Sequence, residues 1–68
     1  MAKYYVNKNA QANGDHEVHT IGCSFMPLSE NRIYLGDFKT CQPAVTAAKK
    51  HFKKSNGCYY CSNDCHTG

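Results

Sequence analysis

Short apolar and aromatic runs, each cut off by Gly, Asn or Pro, fill the first half of the chain, and one stretch of helical periodicity fills the second. Ala2 to Lys8 (AKYYVNK) is aromatic and β-branched and predicts a first strand. The polar segment after it ends in Asn13-Gly14-Asp15, a turn signal because Asn and Gly both tolerate positive φ. His16 to Ile21 (HEVHTI) predicts a second strand, antiparallel to the first and ended by Gly22. Ser24 to Asn31 predicts a loop, since Pro27 excludes a central strand. Arg32 to Leu35 predicts a third strand, with Ile33 and Leu35 on one face and Gly36-Asp37 as its end.

A helix is predicted from about Cys41 to Lys53. Thr40 is a suitable N-cap, and Pro43 falls in the first turn, where its missing N–H costs little. Cys41, Ala44, Val45, Ala48 and Phe52 form one apolar stripe, while Lys49, Lys50, Lys53 and Lys54 fall on the opposite half. Beyond it a frayed turn at Lys54 to Asn56 leads to a cysteine-rich C-terminal tail, NGCYYCSNDCHTG. The expected fold is therefore α+β and a single small domain, 1–68: a three-stranded antiparallel sheet packed by one amphipathic helix.

Size changes the picture. A chain of 68 residues buries only about 60% of its unfolded surface and usually needs a covalent, metal or subunit staple. Five cysteines point to a cysteine-based staple, and their odd number leaves one thiol over in a pure disulfide framework. The N-terminus MAKYYVNKN carries no apolar run of signal-peptide length, and no stretch has the length of a membrane span. A cytoplasmic location without membrane contact is expected on that basis. Thiols stay reduced there, and clustered cysteines more often bind metal.

Zinc prefers thiolate and imidazole in a tetrahedron, commonly built from two short ligand pairs. Cys58-Tyr-Tyr-Cys61, preceded by Asn56-Gly57, is one such pair; His19-Thr-Ile-Gly-Cys23, with Gly22 at the strand end, is the other. Cys65 and His66 are alternates, and Cys65 in place of His19 gives a quartet of thiolates. His16 and His19 point to opposite faces of a strand, so both cannot serve one site. Cys41 falls on the core stripe as a small apolar residue. An oxidised chain offers a Cys41–Cys65 or Cys41–Cys23 disulfide instead, and a metal-free fold with reduced thiols is a third alternative. Cys61-Ser-Asn-Asp-Cys65-His66 is one residue too long for the usual haem attachment sequence. Cys23, Cys58, Cys61 and Cys65 would also suit an iron–sulfur cluster. A thioredoxin-like role lacks the βαβ context of that motif.

Asn7-Lys8-Asn9, the H-x3-C at the end of a strand, Asn31-Arg-Ile-Tyr-Leu35, the Ala-rich helix and Gly57-Cys58-x2-Cys61 together resemble the small zinc-binding domain of Ada-type methylphosphotriester DNA repair proteins. The resemblance spans His19 to Cys61. It implies one zinc bound by His19, Cys23, Cys58 and Cys61. In that family the first ligand of the first pair is a cysteine that accepts the methyl group. Here it is His19, so the resemblance implies the zinc-stapled module and not the methyl transfer. It matches neither Cys41 nor the stretch from Ser62 to Gly68.

Net charge is +3. Lys49, Lys50, Lys53 and Lys54, with Lys3, Lys8 and Arg32, suit salt-sensitive contact with nucleic-acid phosphates. Tyr4, Tyr5, Tyr34, Tyr59 and Tyr60 suit base stacking. Lysines also line the wet side of ordinary helices, and tyrosines fill small cores. A non-catalytic module that acts through a protein partner or weak DNA or RNA contact fits these features. The chain has no Ser/His/Asp set, phosphate loop or paired carboxylates, and His16-Glu-Val-His19 has the wrong spacing for a helical zinc protease motif. A metal-free or disulfide-stapled small domain is the alternative.

Overall fold

The computed structural model of the protein describes residues 1–67. Its elements run β1 (Ala2–Asn7), β2 (His16–Thr20), a 3₁₀ turn (Ser29–Asn31), β3 (Arg32–Phe38), α1 (Cys41–Ala48), β4 (Ser55–Gly57) and a second 3₁₀ turn (Asn63–Cys65). The fold is α+β with one helix, but the sheet is not the expected three-stranded antiparallel one. It has four strands in the order β3-β1-β2-β4, and β4 runs parallel to β2.

Residues expected to fray after the helix form this fourth strand, with His16 opposite Ser55, Glu17 opposite Asn56 and Val18 opposite Gly57. No apolar alternation marks Ser55-Asn-Gly, because the strand is held by its backbone. His16 N–H donates to Lys54 O at 2.7 Å and Cys58 N–H donates to Val18 O at 2.9 Å. The cysteine-rich stretch is thus no free tail; it enters the sheet and packs against it.

Two further boundaries differ from expectation. β3 continues through Gly36-Asp37 to Phe38 because a bulge absorbs the glycine: Tyr4 pairs with Gly36 and Tyr5 with Tyr34, leaving Leu35 as the extra residue. The helix stops at Ala48, well short of Lys53. His51 N–H bonds back to Ala48 O at 2.9 Å, tightening the end into a 3₁₀-type turn. Phe52 then stacks on His16 at 3.8 Å with the rings 3° from parallel. That stack and the Ser55 hydroxyl, which donates to Phe52 O at 2.7 Å, turn the chain into β4. Thr40 occupies the N-cap position without a side-chain capping bond.

The register divides the sheet into two faces. Val6 lies opposite Val18, and both are fully buried under Ala44 and Ala48 of α1, with Tyr4 and Cys41 completing the core. By the period of two, Tyr5 and His19, also opposite one another, belong to the other face. The core side chains are small, and covalent help is visible: Cys41, at the start of α1, forms a disulfide with Cys65 across a sequence separation of 24 and a Cα–Cα distance of 6.2 Å. Closing a loop of that length contributes about 3.5 kcal/mol by the chain-entropy model.

The segment after β4 folds back so closely that Gly57 has no room for a side chain. A Cβ there would lie 2.5 Å from Ser62 O and 2.7 Å from Cys65 Cβ. Neither can swing aside, one being a backbone oxygen and the other the first side-chain carbon of a disulfide-bonded cysteine. Gly57→Ala is therefore expected to destabilise the fold by about 2 kcal/mol through overpacking, read as a lower urea midpoint; an unchanged midpoint would show that the segment does not sit there.

Candidate metal centre

Three local features build the site. β2 carries His19 inward on its second face, where its ring is 1% exposed. The chain then reverses at Gly22, whose φ of +87° lies in the region that favours glycine. Cys23 N–H donates to Thr20 O at 3.1 Å, closing that reversal and turning Cys23 back beside His19. Across from it, β4 delivers Cys58 next to β2, and the Ser62 N–H bond to Cys58 O at 2.9 Å winds the C-x2-C pair into a turn.

Together these bring one ligand atom from each of His19, Cys23, Cys58 and Cys61 within 4.8 Å of one another. Cys23 Sγ is 3.9 Å from Cys58 Sγ, and Cys61 Sγ is 3.8 Å from His19 Nδ1. Two sulfurs held at about 2.3 Å from a tetrahedral ion stand about 3.8 Å apart, so the spacing suits one metal ion. The sequence-predicted quartet is thus close enough to bind a metal.

Its electrostatics suit a cation too. Burial holds the His19 pKa below its usual 6.5, against the opposing pull of Glu17, so the ring is neutral at pH 7 and has a lone pair to give. Its Nε2 faces the Glu17 carboxylate at 3.7 Å and is the one buried side-chain nitrogen or oxygen among the described residues without a hydrogen-bond partner. With Nε2 turned to Glu17, Nδ1 is the nitrogen that faces Cys61, and Glu17 stands where a carboxylate commonly backs a metal-bound histidine. Burial and then contact with the Cys23 thiol push the Cys61 pKa up to about 12, although the Thr20 N–H, 3.3 Å from its sulfur, pulls the other way. Without a cation this thiol keeps its proton. A divalent ion supplies the charge that burial withholds.

The alternates stand outside the cluster. Cys65 is bonded to Cys41, and His66 Nδ1 lies 3.1 Å from Gly57 O. His16 Nδ1 lies 2.9 Å from Asn7 O, on the helix side of the sheet. Lys49, Lys50, Lys53 and Lys54 are exposed, but Lys54 donates to Asn13 O at 2.9 Å, at the β1–β2 turn. They are not gathered at the metal centre.

Sequence reasoning missed Glu17 and Thr20. Glu17 shares a strand face with His19 by the period of two, a signal that was available. Thr20 acts through its backbone and, with its hydroxyl donating to Cys61 O at 3.1 Å, gives none. Also missed was a contact between the two ligand loops: Phe25 and Tyr60 stack at 4.4 Å while both stay exposed. No helix among the described residues is long and apolar enough to cross a membrane. Comparison of the chain with protein-family models, with curated proteins and with solved structures finds no match.

Proposed function

We propose that the protein is a structural zinc module in which one Zn²⁺, held by His19, Cys23, Cys58 and Cys61, locks the end of β2 to the end of β4. The observation that carries this reading is the convergence of the four ligand atoms within 4.8 Å. Three thiolates and an imidazole favour zinc over harder ions such as magnesium or calcium. Four protein ligands fill a tetrahedron and leave no open position for a catalytic water, so the module binds rather than catalyses. The resemblance to the Ada-type domain contributes the ligand pairing alone; His19 stands where the methyl-accepting thiolate would be.

The module acts through a protein partner in this reading. Ile21, Phe25, Tyr59 and Tyr60, which flank the ligand pairs in sequence, are each at least half exposed, and aromatic residues are enriched at protein interfaces. Contact with nucleic acid through Lys49, Lys50 and Lys53 has only their exposure in its favour.

Native mass spectrometry is expected to show one zinc per chain, absent from the denatured mass and lost in the Cys58→Ala variant. Zinc at a thousandfold excess over its Kd stabilises by about 4 kcal/mol. For a domain this small that raises the melting midpoint by on the order of 20 °C over the chelator-treated protein. Equal midpoints with and without chelator would end the structural-zinc reading.

Affinity should also rise with pH. Zinc displaces the proton of Cys61, whose pKa in the metal-free site is about 12, so the apparent association constant should climb at least tenfold per pH unit around neutrality. His19 acts in the same direction in the metal-free protein. The unfolded chain takes up a proton near 6.5 and the folded chain resists it, so stability is lost as pH falls through 6.5. A pH-independent affinity between pH 6 and 8 would contradict proton displacement.

A further inference from the structure

The metal centre and the disulfide share a segment. Cys61 and Cys65 are joined by the turn that begins at Ser62. Cys65 N–H donates to Ser62 O at 2.9 Å, and His66 N–H donates to Asn63 O at 3.0 Å. The segment packs on both flanks of the ligand turn. Before Cys58, Gly57 is covered by Ser62 O and Cys65 Cβ so tightly that even a methyl group would collide, and the His66 ring meets Gly57 O at 3.1 Å. After Cys61, Ser62 is buried, with its hydroxyl 3.4 Å from that of Thr20. Asn56, also buried, ties the far end by a reciprocal pair: its amide donates to Thr67 O at 2.9 Å, and Thr67 N–H donates to Asn56 Oδ1 at 3.0 Å.

Cys41 is what fixes this segment to the rest of the molecule. It opens α1, and α1 is seated on Val6 and Val18 through Ala44 and Ala48. A rigid path therefore runs from β2, which carries His19, through the core and α1 to Cys65, and from there to Cys58 and Cys61. Cys41 is itself buried, so a reductant approaches the bond from its Cys65 side or through a neighbouring cleft. A cleft of about 330 Å³ between the start of α1 and the ligand turn has both Cys41 and Cys61 in its wall, and Cys65 is only half-buried.

We infer that the Cys41–Cys65 disulfide is a redox control on the metal centre: bonded, it holds Cys58 and Cys61 in ligating position, and reduced, it frees the segment around Cys65 and weakens metal binding at least tenfold. This rests on the zinc reading above. The step is thiol–disulfide exchange with a low-molecular-weight thiol. Two such thiols give up two electrons and two protons and become one disulfide, while the Cys41–Cys65 bond breaks and each sulfur leaves as a thiol. Zinc binding to the reduced chain must then order the freed segment as well, and that ordering opposes binding. Linkage makes the effect reciprocal: zinc must protect the disulfide by the factor by which the disulfide strengthens zinc binding. The direction is opposite to that of a site whose own ligand thiols are oxidised, since here reduction, not oxidation, loosens the metal.

Two measurements on the full chain test it. In the first, oxidised wild type and the double variant Cys41→Ala/Cys65→Ala compete for Zn²⁺ with a chromophoric chelator. The variant should still bind one zinc but at least tenfold more weakly, and equal affinity overturns the proposal. The second uses wild type only and so does not depend on the variant folding. The protein is equilibrated in glutathione buffers of graded ratio, with and without Zn²⁺ at fixed free concentration, then alkylated and mapped by mass. With zinc, the Cys41–Cys65 bond should survive a ratio at least tenfold more reducing. An unchanged ratio overturns the coupling while one bound zinc keeps the metal reading intact; no zinc bound to any form overturns both.

Discussion

The hydrogen bond from Cys58 N–H to Val18 O, 2.9 Å long, is the hinge of the molecule. It ends the β2–β4 ladder at the point where the two ligand pairs must meet. Val18 is a core residue on one face of β2; His19, the next residue, faces the other way. The contact completes the ladder that sets the fourth strand against the sheet and places Cys58 beside His19, while α1 covers Val18. Parallel pairing makes this possible. Strands that run the same way end at the same edge, so the loop leaving β2 and the loop leaving β4 open side by side, each with its cysteines.

A core this small explains why the loops are tied down chemically. Val6, Val18, Ala44 and Ala48 are the residues with no exposure in its centre, and two of them are alanines. Apolar burial yields roughly 25 cal/mol per Å², and alanine offers little area. The disulfide joins the last segment to the helix; the proposed zinc joins the same segment to β2. Neither link substitutes for the other, since one ends on α1 and the other on β2.

The sequence showed the parts that rest on side-chain pattern. β1, β2 and the start of β3 carry aromatic or β-branched runs, and α1 carries a 3.6-residue stripe. The H-x3-C and C-x2-C pairs were legible because a metal imposes short spacing at a turn. What escaped rests on backbone or on distant partners. Ser55-Asn56-Gly57 has no strand composition; its pairing exists only because β2 offers a free edge. The turn that follows the helix end at Ala48 carries Phe52 onto His16, residues whose meeting no local window contains. Cys65 reads from spacing either as an alternate ligand or as a disulfide partner of Cys41, and only the fold chooses between them by giving it to Cys41.

A disulfide and a thiol cluster in one chain make opposite demands on their surroundings, and the geometry reconciles them. Cys23 Sγ and Cys58 Sγ, 3.9 Å apart, are near neighbours, and an oxidant strong enough to maintain Cys41–Cys65 would act on an empty pair as well. Bound to zinc in the proposed form, those sulfurs share their lone pairs with the ion and attack a disulfide or peroxide less readily, because the free thiolate is the nucleophile. The ion thus preserves the reduced ligands under the conditions that preserve the disulfide. Conversely, the burial that pushes the Cys61 pKa up to about 12 keeps its thiol protonated and slow to react before the ion arrives. Which cysteines pair and which stay free follows from burial and partner geometry inside the fold, so no single redox class for the whole chain can be assigned by counting its thiols.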